Sequence, residues 1–213
     1  MAVRVDLNIT LDGVAAPVDQ TPENPMGEGW GRLVAAYTGT KVFREHVLHD
    51  GTGEGTTGID DRYGREYFEG IGAEIMGAGM FGFHAFPDDP DWQGWWGDEP
   101  PFGWPVLVLT HREHAPIDFA NGTRFEFITG SPQDALARAQ ELAGDGDIRV
   151  GGGASTVRDF LAAGLVDVLH VAVVPIVFGR GERLWEGLKD FDLGYAVTTE
   201  VAESGVIHIT YAR

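Results

Sequence analysis

The pattern of apolar and polar positions divides the chain into a strand-rich frame and two stretches that resist a regular reading. Val3–Thr10 alternates as a strand does, and the Leu11-Asp12-Gly13 turn leads into a Pro-rich loop through Pro25. Residues 33–37 and 42–49 carry helical spacing, whereas the Gly/Thr tract 51–58 reads as a mobile loop. Asp60 or Asp61 caps a helix expected to run to Glu69, and residues 73–76 form a short strand. Residues 77–105 are rich in Gly, Pro and Trp and predict ordered irregular structure. Beyond them, strands are expected at 106–110 and 125–129, and Pro132 opens a helix that runs to about Leu142. A strand at 148–150, a helix at 156–163, a long apolar strand at 166–176 and a hairpin of 194–201 with 206–211 complete the chain. Strand–helix alternation closed by a hairpin predicts an α/β fold whose sheet is mostly parallel with antiparallel edges. The aromatics inside the irregular stretches make these insertions, at about 27–58 and 82–104, into a single domain spanning 1–213.

The segment 148–163, Ile-Arg-Val-Gly-Gly-Gly-Ala-Ser-Thr-Val-Arg-Asp-Phe-Leu-Ala-Ala, carries the clearest chemistry. An apolar run ends in three glycines and a helix opens at once, with Ser155 and Thr156 as capping candidates. Glycine lets a phosphate approach the backbone, and a helix start offers unpaired N–H groups at the positive end of its dipole. That suits the diphosphate of a dinucleotide. The same run also suits a plain tight turn, since neither G-x-G-x-x-G nor the P-loop pattern is present.

Composition narrows the field. The chain has 213 residues, 43% of them hydrophobic and 11% aromatic, enough for one sizeable globular core. No apolar run approaches the roughly 20 residues that span a bilayer, and the N-terminus lacks a signal-peptide pattern, so a cytoplasmic protein is expected. With no cysteine, thiolate catalysis, iron–sulfur clusters and cysteine zinc sites are excluded, and the histidine pairs suggest no metal site. A formal charge of −18 argues against nucleic acid and anionic membranes as partners. Lysine occurs only at 41 and 189, which gives weight to any arginine near the glycine run.

The order of five motifs completes the reading. They are Asn8-Ile-Thr-Leu-Asp-Gly-Val-Ala-Ala16, Ile75-Met-Gly-Ala-Gly-Met-Phe81, Val108-Leu-Thr-His-Arg112, Arg149-Val-Gly-Gly-Gly153, and Ala163-Gly-Leu-Val-Asp-Val-Leu-His170 with Gly179-Arg-Gly-Glu-Arg-Leu184. In this order the chain resembles the dihydrofolate reductase-like superfamily, in the branch holding the C-terminal reductase domain of the bacterial riboflavin-biosynthesis deaminase–reductase. The resemblance implies a three-layer, single-domain, homodimeric reductase that uses NADPH, with NADH as the alternative. It implies that Gly151, Gly152 and Gly153 underlie the cofactor diphosphate, with Ala154, Ser155 and Thr156 starting the helix beside it. Thr110, His111 and Arg112 would hold the adenosine ribose and its 2′-phosphate, and Asn8, Ala15 and Ala16 would lie near the nicotinamide. Gly77, Ala78, Gly79 and Met80 match a second cofactor segment, which commonly carries an arginine where Ala78 stands.

Hydride transfer also calls for a proton source. By the resemblance this is a carboxylate at the start of the substrate-side helix, here Asp61, although Asp60 and Asp61 equally suit helix capping. Trp92, Trp95, Trp96, Phe102 and Trp104 suit stacking on a flat heterocycle, and suit a local core as well. His170 and His208 read as packed or edge residues of strands. The function expected is hydride transfer to a C=N or C=O bond of a small pterin, pyrimidine or ribosylamine-type substrate. The alternative is a non-catalytic nucleotide- or ligand-binding protein on the same fold.

Overall fold

Strand alternation sorts side chains onto two faces of one sheet, and each face meets a different layer. The computed structural model describes all residues except His84, Ala85, Pro87, Asp88 and Pro90, so that part of the 82–104 insertion lies outside the described residues. The strands are β1 (Val3–Thr10), β2 (Val14–Ala16), β3 (Ile71–Gly77), β4 (Pro105–Leu109), β5 (Ile117–Asp118), β6 (Arg124–Ile128), β7 (Asp147–Gly152), β8 (Val168–Val174), β9 (Glu182–Arg183), β10 (Ala196–Val201) and β11 (Ile207–Ala212). The described residues form a nine-stranded sheet of order β10-β11-β8-β1-β7-β3-β4-β6-β5, and β2 pairs with β9 apart from it. The strands from β8 to β6 run parallel, while β5 and the β10–β11 hairpin are antiparallel edges.

One face is covered by α4 (Pro132–Leu142) and α5 (Ala154–Ala162). Val5 and Ile9, Ile75, Leu107, Val150 and Leu169 point there and pack on Ala135, Val157 and Phe160. The start of α4 is written in sequence: Ser131 and Asp134 exchange backbone contacts in a capping box, ahead of Pro132. The other face carries α1 (Trp30–Thr38), a π-helical turn (Phe43–Val47) and α2 (Ile59–Glu66) over β1 and β8. Beyond β3, that same face carries an aromatic core around Phe81, Phe102 and Phe125, which adjoins the short α3 (Ala78–Phe81). No helix among the described residues is long and apolar enough to cross a membrane.

Several boundaries move. The strand expected at 148–150 extends to Gly152, so two of the three glycines belong to the sheet. The helix expected at 156–163 starts at Ala154 with Gly153 as its cap; Ser155 and Thr156 lie inside it and cap nothing. Likewise α2 begins after Gly58 and ends at Glu66, so Asp60 and Asp61 sit in its first turn, where the dipole favours them, and make no cap contact. The 51–58 tract is tied down through Thr56, which accepts from the Lys41 N–H at 2.9 Å and donates to the Gly39 carbonyl at 3.0 Å.

Candidate functional site

A parallel sheet leaves its ligand-binding opportunity at the carboxyl ends of its strands, where loops and helix starts converge. Here those ends border a cleft of about 740 Å³, within the usual size of small-molecule sites. Asn8 of β1, Gly77–Met80 after β3, Leu109–His111 after β4 and Gly151–Thr156 at the junction of β7 and α5 all line it, with Ala15 and Ala16 of β2. Fifteen of the sixteen residues that the resemblance assigns to the cofactor therefore meet on one cavity. The exception is Arg112, which is exposed and outside the lining; its N–H donates to Thr110 Oγ1 at 3.2 Å.

The glycines at this junction have different reasons. A Cβ on Gly151 would come within 2.2 Å of Glu74 Oε1, and one on Gly77 within 2.3 Å of Thr156 Oγ1, so both permit close packing inside the protein. Gly152 has φ of 134°, a conformation that L side chains rarely adopt. Gly153 has ordinary extended backbone, and a Cβ there would meet nothing within 4 Å. It borders open cleft at the start of α5, whose first N–H groups have no side-chain cap. A backbone cradle facing open space beside an uncapped helix start fits a diphosphate. The Gly152–Gly153 peptide bond is cis.

Two aromatic flanks border the remaining length of the cleft. Tyr37, Phe43 and Phe68 come from the helical side, and Trp95, Trp96 and Phe102 from the irregular segment. The flanks meet where His46 Nε2 lies 2.9 Å from the Pro101 carbonyl while its ring packs on Phe68. Trp92 and Trp95 also terminate α3, donating to the carbonyls of Phe81 and Met80 at 2.9 Å each. The tryptophan-rich segment thus serves as local core and as cleft wall together.

The profile of the RibD C-terminal domain family matches residues 1–204. The chain belongs to that family. Among solved structures, a Shewanella sp. PV-4 protein named for riboflavin biosynthesis is 22% identical with a TM-score of 0.62, over 100% of this chain and 99% of that one. A Thermotoga maritima diaminohydroxyphosphoribosylaminopyrimidine deaminase/5-amino-6-(5-phosphoribosylamino)uracil reductase is 17% identical with a TM-score of 0.54, over 99% of this chain and 56% of that one. Dihydrofolate reductase from Enterococcus faecalis, complexed with NADP(H), is 16% identical with a TM-score of 0.52, over 100% and 96%. At these identities the likeness is one of fold. The uncharacterized protein YyaP of Bacillus subtilis (strain 168) is 37% identical over 65 residues, which is 30% of this chain and about a third (35%) of that curated relative.

Within this RibD-type fold, Asp61 sits apart from the other residues that the resemblance assigns to the site. Its side chain is buried, Oδ1 accepts from the Val42 N–H at 2.7 Å, and Oδ2 pairs with Arg65 Nε at 2.9 Å. It is absent from the cleft lining. Asp61 joins α2 to the 40–47 turn.

Beneath α2 lies a polar chain that strand alternation alone did not single out. Asp6 Oδ1 lies 3.2 Å from His170 Nδ1, His170 Nε2 lies 2.9 Å from His208 Nδ1, and His208 Nε2 lies 2.9 Å from Asp60 Oδ1. Tyr63 stacks on both imidazoles, at 4.3 and 4.2 Å between ring centroids. Filling three contacts among four ring nitrogens takes three protons, so ionised carboxylates at both ends require one doubly protonated ring. Burial pushes the His208 pKa down, against the pull of Asp60. The signal was available in β8, where His170 is the one polar residue of an otherwise apolar strand and is the register partner of Asp6.

The turn beside Ala15 and Ala16 is clamped by Asp12. Its carboxylate accepts from Thr10 Oγ1 at 2.6 Å, from the Phe178 N–H at 3.2 Å and from the Gly179 N–H at 2.9 Å, with Arg183 against the same residue. The Thr10 hydroxyl leads the effects that hold the Asp12 pKa down at about 2. A depressed carboxylate contributes stability above its unfolded value and loses it as pH falls through the folded value. The Asp12→Asn variant should therefore show a shallower loss of denaturation midpoint than the parent between pH 3.8 and about 2. Equal slopes would deny Asp12 its part in acid sensitivity.

Proposed function

We propose that this protein is an NAD(P)H-dependent reductase acting on a C=N or C=O bond of a small heterocyclic substrate. The observation that carries the reading is the β7–α5 junction, where Gly153 borders open cleft at an uncapped helix start. Family membership supports it, as does the shared fold with a dihydrofolate reductase that holds NADP(H). The cofactor, when bound, supplies the hydride. Gly151–Thr156 would hold its diphosphate, and Thr110, His111 and Arg112 its adenosine ribose and 2′-phosphate. Asn8, Ala15 and Ala16 would border the nicotinamide, their small or amide side chains leaving room for the ring. The aromatic flanks would exclude water from the reacting atoms and align the acceptor carbon, which is most of what hydride transfer asks of a protein.

Thermal-shift titration with NADPH and NADH tests the reading, since a ligand that binds only the folded state raises the melting temperature. Arg112→Ala should weaken NADPH by about one to two orders of magnitude, the worth of one charge-assisted phosphate contact of roughly 1.5–3 kcal/mol. NADH should hardly change. Equal weakening of both would make Arg112 a residue that shapes the loop; no shift with either cofactor would sink the reductase reading.

A further inference from the structure

The cleft's charges are unevenly placed. Among the described residues, its lining side chains of Asp, Glu, Lys, Arg or His type are His111, Arg149, Asp159 and Glu182. His111 and Asp159 stand on the segments proposed to hold the cofactor. Glu182 is on β9, paired with β2 and 3.8 Å from Arg158. Arg149 is buried and committed to Glu74 at 3.0 Å, with its Nη1 donating to the Tyr67 carbonyl at 3.1 Å.

Among the described residues, the aromatic length of the cleft is therefore edged by neutral side chains. The described cations of the helical flank are engaged elsewhere: Lys41 with Glu45 at 3.4 Å, Arg44 with Asp50 at 2.5 Å, Arg62 with Glu66 at 3.1 Å, Arg65 with Asp61 at 2.9 Å, and Arg32 over the Phe178 ring at 5.9 Å, and none of them lines the cleft. A phosphate monoester placed there would be desolvated without a cation, inside a protein of formal charge −18. Planar faces of Trp95, Trp96, Phe102, Tyr37 and Phe68 offer stacking area instead.

We propose that this half of the cleft takes an uncharged, flat, unphosphorylated ring compound. This would separate the chain in substrate class from the Thermotoga maritima relative, whose name specifies a phosphoribosylamino substrate. The proposal rests on the reductase reading only for which half of the cleft belongs to the substrate.

Riboflavin and FMN differ by one phosphate and report binding through flavin fluorescence polarisation, with no nicotinamide cofactor present. Riboflavin should bind at least about tenfold more tightly than FMN in Gly153→Val, where the proposed diphosphate cradle is filled. FMN equal to or tighter than riboflavin in Gly153→Val would overturn the proposal, and so would a failure of riboflavin to bind the parent. Thr38→Arg places a cation on the lining at the end of α1, where the dipole favours it, and should raise FMN affinity about tenfold. A failure of NADPH to bind would strike the reductase reading alone, since the flavin comparison uses no cofactor.

Discussion

Replacing Arg149 with methionine should cost about 3–5 kcal/mol of folding stability, the usual penalty for leaving one member of a buried ion pair alone. For a chain of this size that corresponds to a melting-temperature loss on the order of 10 °C. Glu74 has no exposed surface and Arg149 almost none, and the two face each other from adjacent strands β3 and β7. Tyr67 closes the pair from above, its ring 3.9 Å from the guanidinium carbon. Among the described residues Arg149 Nε has no hydrogen-bond partner, so the arrangement has little redundancy to absorb a loss.

The pH dependence of that variant follows from Glu74. Burial already pushes its pKa up, with the Arg149 charge opposing. Without Arg149 the rise grows, and a carboxyl with a raised folded pKa gives stability that is present at acid pH and lost as pH rises through the folded value. Arg149→Met should therefore be less destabilised near pH 5 than near pH 8 in chemical denaturation. Glu74→Leu/Arg149→Met should recover most of the loss, because an apolar pair of similar volume removes the unpaired charge. A single variant as stable as the parent at pH 8 would mean that water reaches Glu74. An equally unstable double variant would mean that Arg149 acts through Tyr67 packing.

The frame was legible because burial imposes its period on the strands. Val3–Thr10 alternates strictly, and the core face of β1 is its odd-numbered set. Pro132 read as a helix start because Pro loses nothing at a first turn. The cleft was legible through motif order, which brought together residues separated by 148 positions from Asn8 to Thr156. What escaped depended on side chains meeting across the fold. The contacts of Asp61 with Val42 and Arg65 could be known only once the 40–47 turn was placed. The linkage of Asp6, His170, His208 and Asp60 needed three strand neighbours and a helix in register. Short β2, β5 and β9 have too few residues to show a period, and each exists because a neighbouring strand offers an edge.

Valine at position 153 should lower dinucleotide affinity about a hundredfold while the protein stays folded. The three consecutive glycines invite one explanation, yet they answer three different demands. A side chain at 151 would strike the Glu74 carboxylate, and one at 152 would be forced into a positive-φ conformation, so Gly152→Val would damage the fold before it reported on any ligand. Position 153 has φ of −70° and ψ of −172°, which any residue adopts, and its Cβ would project into empty cleft. The added methyl groups would occupy the space in front of the α5 start and separate a diphosphate from its N–H donors. Losing two charge-assisted contacts at roughly 1.5 kcal/mol each gives about 3 kcal/mol, or two decades in affinity. Gly153→Ala should fall between. Isothermal titration with NADPH and NADH, beside a melting curve of the ligand-free variant, reads affinity and folding separately. A Gly153→Val protein that melts like the parent and binds both cofactors unchanged would remove the diphosphate from this junction. Because the N–H groups serve both cofactors alike, the two affinities should fall together, which distinguishes this site from the selective loss expected at Arg112.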